Sequence, residues 1–117
     1  MSLNRVATYE NRVFRRVLIP ILDEVLGRAM VFARKESVLD ESVTITIAKR
    51  KLKIRAESEE GWFEEDVNIQ YDEESIKFNI TPFLLKDILS ETQDCIVGES
   101  RLKFEGEGWQ YVIALRV

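Results

Sequence analysis

At 117 residues, with 45% hydrophobic and 32% charged residues, the chain has the size and composition of one folded domain rather than of a disordered segment. Its net charge of −4 excludes a domain that binds nucleic acid simply by being basic. The single cysteine, Cys95, excludes an internal disulfide and a cysteine-rich zinc site, and we expect it to be a buried apolar residue.

Two stretches bear on location and domain organisation. The most apolar one, residues 17–33, is interrupted by Asp23, Glu24 and Arg28, so it is too polar to cross a bilayer. The N-terminus has no charged region followed by an apolar run and a cleavage site, and we therefore expect a cytoplasmic protein. Residues 1–12 lie outside the predicted elements. They are expected to be an N-terminal extension or linker before a single domain at 13–117.

The first predicted elements are a strand and a helix. The apolar, β-branched residues 13–19 predict a strand, and Pro20 suits the first turn of a helix covering roughly 20–35. Apolar residues recur in this helix at intervals of three and four, while Glu24, Arg28 and Lys35 share the opposite side. The apolar stripe consists of Ile21, Leu22, Val25, Leu26, Ala29, Met30 and Ala33.

The rest of the chain alternates strands with a second helix. Residues 43–47 and 52–56 alternate in polarity around a basic turn and predict a β-hairpin, and residues 62–71 and 75–80 predict two more strands. Thr81 as N-cap and Pro82 in the first turn begin a second helix at roughly 82–90. Three further strands are predicted at 95–97, 101–105 and 109–117.

This order amounts to two copies of one strand–helix–three-strand unit, with the second copy beginning near Ser75. No residue-level repeat accompanies the repeated pattern. It predicts an α+β fold in which two helices pack on one face of antiparallel sheet.

The chemistry that most enzymes need is missing from the sequence. There is no histidine, and no nucleotide-binding or nucleophile motif is present. The acidic runs 57–60, 64–66 and 72–74 lack the spacing of a calcium loop and are expected to be solvated strand edges or turns. We therefore expect no enzyme activity, no cofactor and no metal site.

Basic and aromatic residues leave two interpretations open. Lys49, Arg50 and Lys51, with Lys53 and Arg55, either contact phosphate or form a solvated hairpin tip followed by outward-facing side chains. The basic residues of the two helices likewise fit either a ligand surface or an ordinary solvated face. Trp62 and Trp109 are expected in the core or an interface, because neither is interleaved with basic residues as in a base-stacking platform.

Three segments carry a family resemblance. They are the hairpin at 43–58, the run Phe78-Asn79 followed by 83–85 and 88–89, and the C-terminal stretch 111–117. In this order and spacing they resemble a domain of the bacterial DNA polymerase III beta subunit, the sliding clamp, and most of all its last domain. The resemblance covers residues 13–117. It departs from the family by one extra residue before Phe83, by one fewer near Ala114, and in length, because a full clamp protomer contains three such domains.

The resemblance implies a processivity domain that tethers polymerase or other replication proteins to duplex DNA without reading its bases. Domains would join side by side into a ring whose hole is lined by helices, so self-association or membership of a longer multi-domain chain is expected. The matching DNA-facing residues are Arg28, Arg34, Lys35 and Lys86.

The resemblance also implies a groove that receives short peptides from polymerases and the clamp loader. The matching residues are Asn79, Phe83, Ile113, Leu115 and Val117. Two alternatives stay open. Phe83, Ile113 and Leu115 could be plain core residues, and the whole chain could be a protein-interaction module that has a clamp fold but does not encircle DNA.

Overall fold

The computed structural model describes residues 15–35, 41–98 and 100–115, which form eight strands and two helices. The elements are β1 (Arg15–Leu18), α1 (Asp23–Ala33), β2 (Val43–Ala48), β3 (Lys51–Ser58), β4 (Gly61–Asn68), β5 (Ile76–Ile80), α2 (Pro82–Leu89), β6 (Asp94–Val97), β7 (Arg101–Gly106) and β8 (Trp109–Ala114). The predicted order of elements and the predicted α+β class are confirmed.

The strands form two antiparallel four-stranded sheets, a division that the sequence pattern did not indicate. Sheet I has the order β4-β3-β2-β5, and sheet II has the order β1-β6-β7-β8. Each sheet therefore takes three consecutive strands from one strand–helix–three-strand unit and its fourth strand from the other. Because β5 completes the sheet of the first unit and β1 that of the second, the two units share both sheets.

The first helix is shorter than predicted at both ends. It begins at Asp23, after Leu22, and Pro20 precedes it rather than standing in its first turn. Asp23 and Glu24 occupy the first turn, where acidic side chains interact favourably with the positive end of the helix dipole. The helix ends at Ala33, because Arg34 has an extended backbone (φ −58°, ψ 133°).

The packing of α1 follows most of its predicted stripe. Leu22, Val25, Leu26, Ala29 and Ala33 are buried, and the helix packs on β3 and β4. Ile21, which the pattern assigned to the stripe, lies before the helix begins and is 58% exposed.

The second helix matches its predicted position closely. Pro82 is its first residue and Thr81 its N-cap, although the Thr81 side chain makes no capping hydrogen bond. Leu85, Ile88 and Leu89 are buried, and α2 contacts α1.

The hydrophobic core contains alternate residues of both sheets together with the buried stripes of the helices. Phe78 of β5 and Phe104 of β7 are its largest fully buried side chains. Cys95 is also fully buried, as predicted, and burial together with nearby Asp94 raises the pKa of its thiol far above the ordinary value. In the described part of the chain, no helix has the length and apolarity needed to span a membrane.

Candidate nucleic-acid interface and partner groove

The exposed side of the two helices carries balanced charge. Four basic residues were predicted to face DNA, and four acidic residues lie exposed on the same two helices or directly after them. The acidic residues are Asp23, Glu24, Asp87 and Glu91. The described helix face is therefore not a basic patch, and any attraction to phosphates would be limited by the acids that accompany the bases.

Arg28 is engaged in a two-pronged ion pair. Its Nε donates to Oε1 of Glu65 at 2.9 Å, and its Nη2 donates to Oε2 of the same carboxylate at 2.7 Å. The hydrogen bond from Arg28 lowers the pKa of Glu65, although desolvation partly opposes this effect. Because Nε and Nη2 of Arg28 both donate to Glu65, the positive charge of Arg28 is neutralised within the chain and attracts a phosphate less strongly.

The other three predicted DNA-facing residues are exposed. Arg34 and Lys35 follow the end of α1, and Lys86 is on α2. Lys35 lines a concavity that also contains side chains from the face of sheet I turned away from α1. The role of these three residues in DNA binding therefore stays a prediction.

Apolar side chains occupy part of the exposed face of α1, and the sequence pattern did not predict their exposure. Val31 is 62% exposed, and Phe32 stacks on Phe63 of β4 with ring centroids 5.6 Å apart and an interplanar angle of 21°. Such a surface suits contact with another protein better than contact with phosphates.

The residues of the predicted groove lie in different environments. Ile113 is buried in the core opposite Leu102, and Leu115 is partly buried against the core. Phe83, by contrast, is 49% exposed on the first turn of α2. Asn79 is exposed on β5, where its Oδ1 accepts a hydrogen bond from Thr44 Oγ1 at 2.8 Å. Val117 lies outside the described residues.

The two tryptophans differ from each other. Trp109 packs against the core and over Gly106, and its Nε1 donates to Glu91 Oε1 at 3.2 Å, which agrees with the predicted packing role. Trp62 is not in the core, because it is 58% exposed, so of its two expected roles only the interface stays open; the Arg55 guanidinium lies 4.6 Å from the centre of its ring. Arg55 and Trp62 lie on the two strands of the β3–β4 hairpin, so their contact depends on the register of that hairpin, which polarity alternation along the sequence does not show.

Metal ligands do not cluster in the described ranges 15–35, 41–98 and 100–115, where no three cysteine or carboxylate side chains are placed to hold an ion.

Removing the carboxylate of Glu65 tests how strongly the α1–β4 ion pair holds the helix. We expect Glu65→Gln to lower the urea midpoint by roughly a few tenths molar at pH 7, because an exposed pair contributes little. The pKa of Glu65 is lowered in the folded state, so its contribution is present above the unfolded pKa near 4.5 and is lost as the pH falls through the folded value. The difference from wild type should therefore shrink as the pH is lowered below about 4.5. Asp66→Asn, one position along β4, is the matched control, and an equal loss in both variants would contradict a specific pair.

The same arrangement of strands and helices is found in proteins of known structure. No family model and no curated protein sequence matches the chain. Solved structures do match. A Helicobacter pylori beta clamp in complex with 5-chloroisatin aligns with 87% of the chain at a TM-score of 0.65 and 14% identity. A DNA polymerase sliding clamp from Pseudomonas aeruginosa aligns with 92% at a TM-score of 0.62 and 17% identity. The chain has the fold of a sliding-clamp domain.

The match to clamps is one of fold and covers only part of each clamp. The clamp-like domain spans 30% of the first of those chains and 31% of the second. A further match, a Helicobacter pylori beta clamp bound to a DNA ligase peptide, has a TM-score of 0.63 and 13% identity over 88% of this chain and 31% of that one. That clamp binds a peptide.

Proposed function

We propose that this chain is a sliding-clamp-like processivity domain, not an enzyme, which tethers polymerase or other replication proteins to duplex DNA without base-specific readout. The observation that supports this proposal is the fold itself. Bacterial clamps align with 86–87% of the chain at TM-scores of 0.60 to 0.65. In this role the domain acts by holding partners close to DNA, which requires no catalytic group.

Binding to DNA would depend on assembly. Arg28 is neutralised by Glu65, and acidic residues offset the remaining basic residues of the helix face. A monomer therefore releases few counterions and should bind duplex DNA weakly, with an affinity that fades quickly as salt is added. A closed oligomer, or a longer chain containing several such domains, would instead be held on DNA by encircling it.

The test compares oligomeric state with retention on DNA of two topologies. Native mass spectrometry of the 117-residue chain over a range of concentrations should reveal a closed oligomer. That oligomer should remain with a nicked circular plasmid during gel filtration and dissociate once the same plasmid is made linear. Equal retention on both forms would mean ordinary electrostatic binding, and a monomer at every concentration would contradict a ring built from copies of this 117-residue chain alone.

A second candidate function is a protein-interaction module that has the clamp fold but does not encircle DNA. The observation that favours it is the combination of the Arg28–Glu65 pair with exposed Val31 and Phe32 on the helix face. A monomer that binds a clamp-type peptide but is retained on neither plasmid form would support this candidate over the first.

A further inference from the structure

A row of three side chains crosses the face of sheet I that is turned away from α1. Lys77 of β5 pairs in register with Thr46 of β2, and Thr46 pairs with Lys53 of β3. Paired residues on neighbouring strands point to the same face, and strands are about 4.8 Å apart, so the two lysines flank the threonine with backbones separated by roughly 10 Å. No segment of the sequence brings these three residues together. The β2–β3 hairpin brings Thr46 beside Lys53, and the pairing of β5 with β2 adds Lys77.

The row lies in a concavity of about 580 Å³. Ala33 and Lys35, at the end of α1, also contribute to its wall. Its lining contains four basic residues and two acidic ones in a chain whose net charge is −4, so the concavity is locally positive. The lining residues are Ala33, Lys35, Ser42, Thr44, Thr46, Lys53, Arg55, Glu57, Glu64 and Lys77.

The two acidic residues of the lining are already engaged with the arginine. Arg55 Nε donates to Glu57 at 2.8 Å, and its Nη1 donates to Glu64 at 3.2 Å. Asp66 stands opposite Lys53 on β4 but does not line the concavity, and the two form no ion pair in the described structure. Within the described residues, the ammonium groups of Lys53 and Lys77 therefore have no carboxylate partner.

We propose that this concavity binds a ligand carrying two or more phosphate groups. Each lysine ammonium offers three donors on a flexible stem, and the Thr46 hydroxyl between them can donate a further hydrogen bond. Lys35 adds a third positive charge from the wall. Two lysines on opposite sides of a hydroxyl can neutralise adjacent phosphates, whereas a single carboxylate would leave one lysine unpaired.

Two sources could supply such phosphates. One is a free polyphosphate chain. The other is the backbone of a single-stranded nucleic acid, for which Trp62 at the same face offers an exposed ring beside Arg55. Lys53 and Lys77, the two lysines that define the site, are not among the predicted DNA-facing residues, so failure of the site would leave the proposed clamp function untouched, although Lys35 belongs to both surfaces.

The experiment titrates the full chain with tripolyphosphate and, separately, with an eight-nucleotide oligothymidylate, while NMR follows the backbone amides at 50 mM salt. We expect saturable shifts centred on Thr46, Lys53 and Lys77. Tighter binding of the oligonucleotide, with the Trp62 indole signal also shifted, would identify nucleic acid as the source. Tighter binding of tripolyphosphate with Trp62 unchanged would identify the free anion.

Charge-neutralising variants separate a built site from general attraction. The double variant K53Q/K77Q should weaken tripolyphosphate binding at least about tenfold. The matched control K51Q/K103Q removes the same charge from residues outside the lining, and it should change binding less than about twofold. Equal weakening in both variants, or shifts spread over all surface lysines of the wild type, would overturn the proposal. Unchanged amide spectra of the free variants verify that both fold.

Discussion

Replacing Phe78 with alanine is expected to lower the free energy of unfolding by about 3–5 kcal/mol. The side chain is fully buried at the centre of β5, where it pairs with Ile45 of β2, so truncation leaves a cavity that the surrounding sheet cannot close. A domain of this size has a total stability of about 5–15 kcal/mol, so the variant should be only marginally folded. Urea unfolding followed by circular dichroism measures the change.

Two further variants keep this prediction testable if Phe78→Ala does not fold. Phe78→Leu retains most of the volume and should cost about 1.5 kcal/mol or less. Lys77→Ala, the neighbouring exposed residue on the same strand, should change stability by less than about 0.5 kcal/mol. A small loss for Phe78→Ala, comparable to that of Lys77→Ala, would mean that β5 is not an integral strand of sheet I.

Replacing Phe83 with alanine is expected to weaken binding of a partner peptide about 30-fold, if the proposed groove is the docking site. A few apolar anchors usually dominate an interface, each costing about 2 kcal/mol or more when truncated. Phe83 is the predicted groove residue best suited to this test, because it is apolar and half-exposed whereas Ile113 is buried in the core. Fluorescence anisotropy would report the affinity of the chain for a labelled DNA ligase peptide, the kind of peptide that is bound to the Helicobacter pylori clamp.

The matched control for Phe83 is Ile21→Ala. Ile21 is similarly exposed and apolar but lies before α1, outside the predicted groove. Its truncation should leave peptide affinity within about twofold of wild type. If the wild-type chain does not bind the peptide, or if Phe83→Ala binds as well as Ile21→Ala, the docking role assigned to this region is wrong.

Local patterns were sufficient to predict the elements of the fold. Alternation in β2 and β3 and the apolar stripe of α1 each depend on neighbours within a few residues, and the structure reproduces both. Element ends were less predictable, because Pro20 fits a first helical turn by propensity but the helix begins only at Asp23.

Features that depend on strand pairing could not be predicted from the sequence. The Arg28–Glu65 pair joins α1 to β4, and the Arg55–Trp62 contact joins β3 to β4. Two strands separate α1 from β4 along the chain, so no spacing rule indicates the first contact, and the second depends on the register of the β3–β4 hairpin. The row of Lys77, Thr46 and Lys53 could not be predicted either, because it depends on the register with which β5 pairs with β2.

The exchange of end strands between the two sheets has a consequence for the chain as it leaves the ribosome. β1 emerges before its pairing partner β6, which follows only after both helices and four other strands, since Arg15 pairs with Val97. At a synthesis rate of about 5–20 residues per second, β1 would wait roughly 4–16 s for that partner. During this interval its backbone donors and acceptors are open to pairing with other chains, which is a route to aggregation before β6 appears.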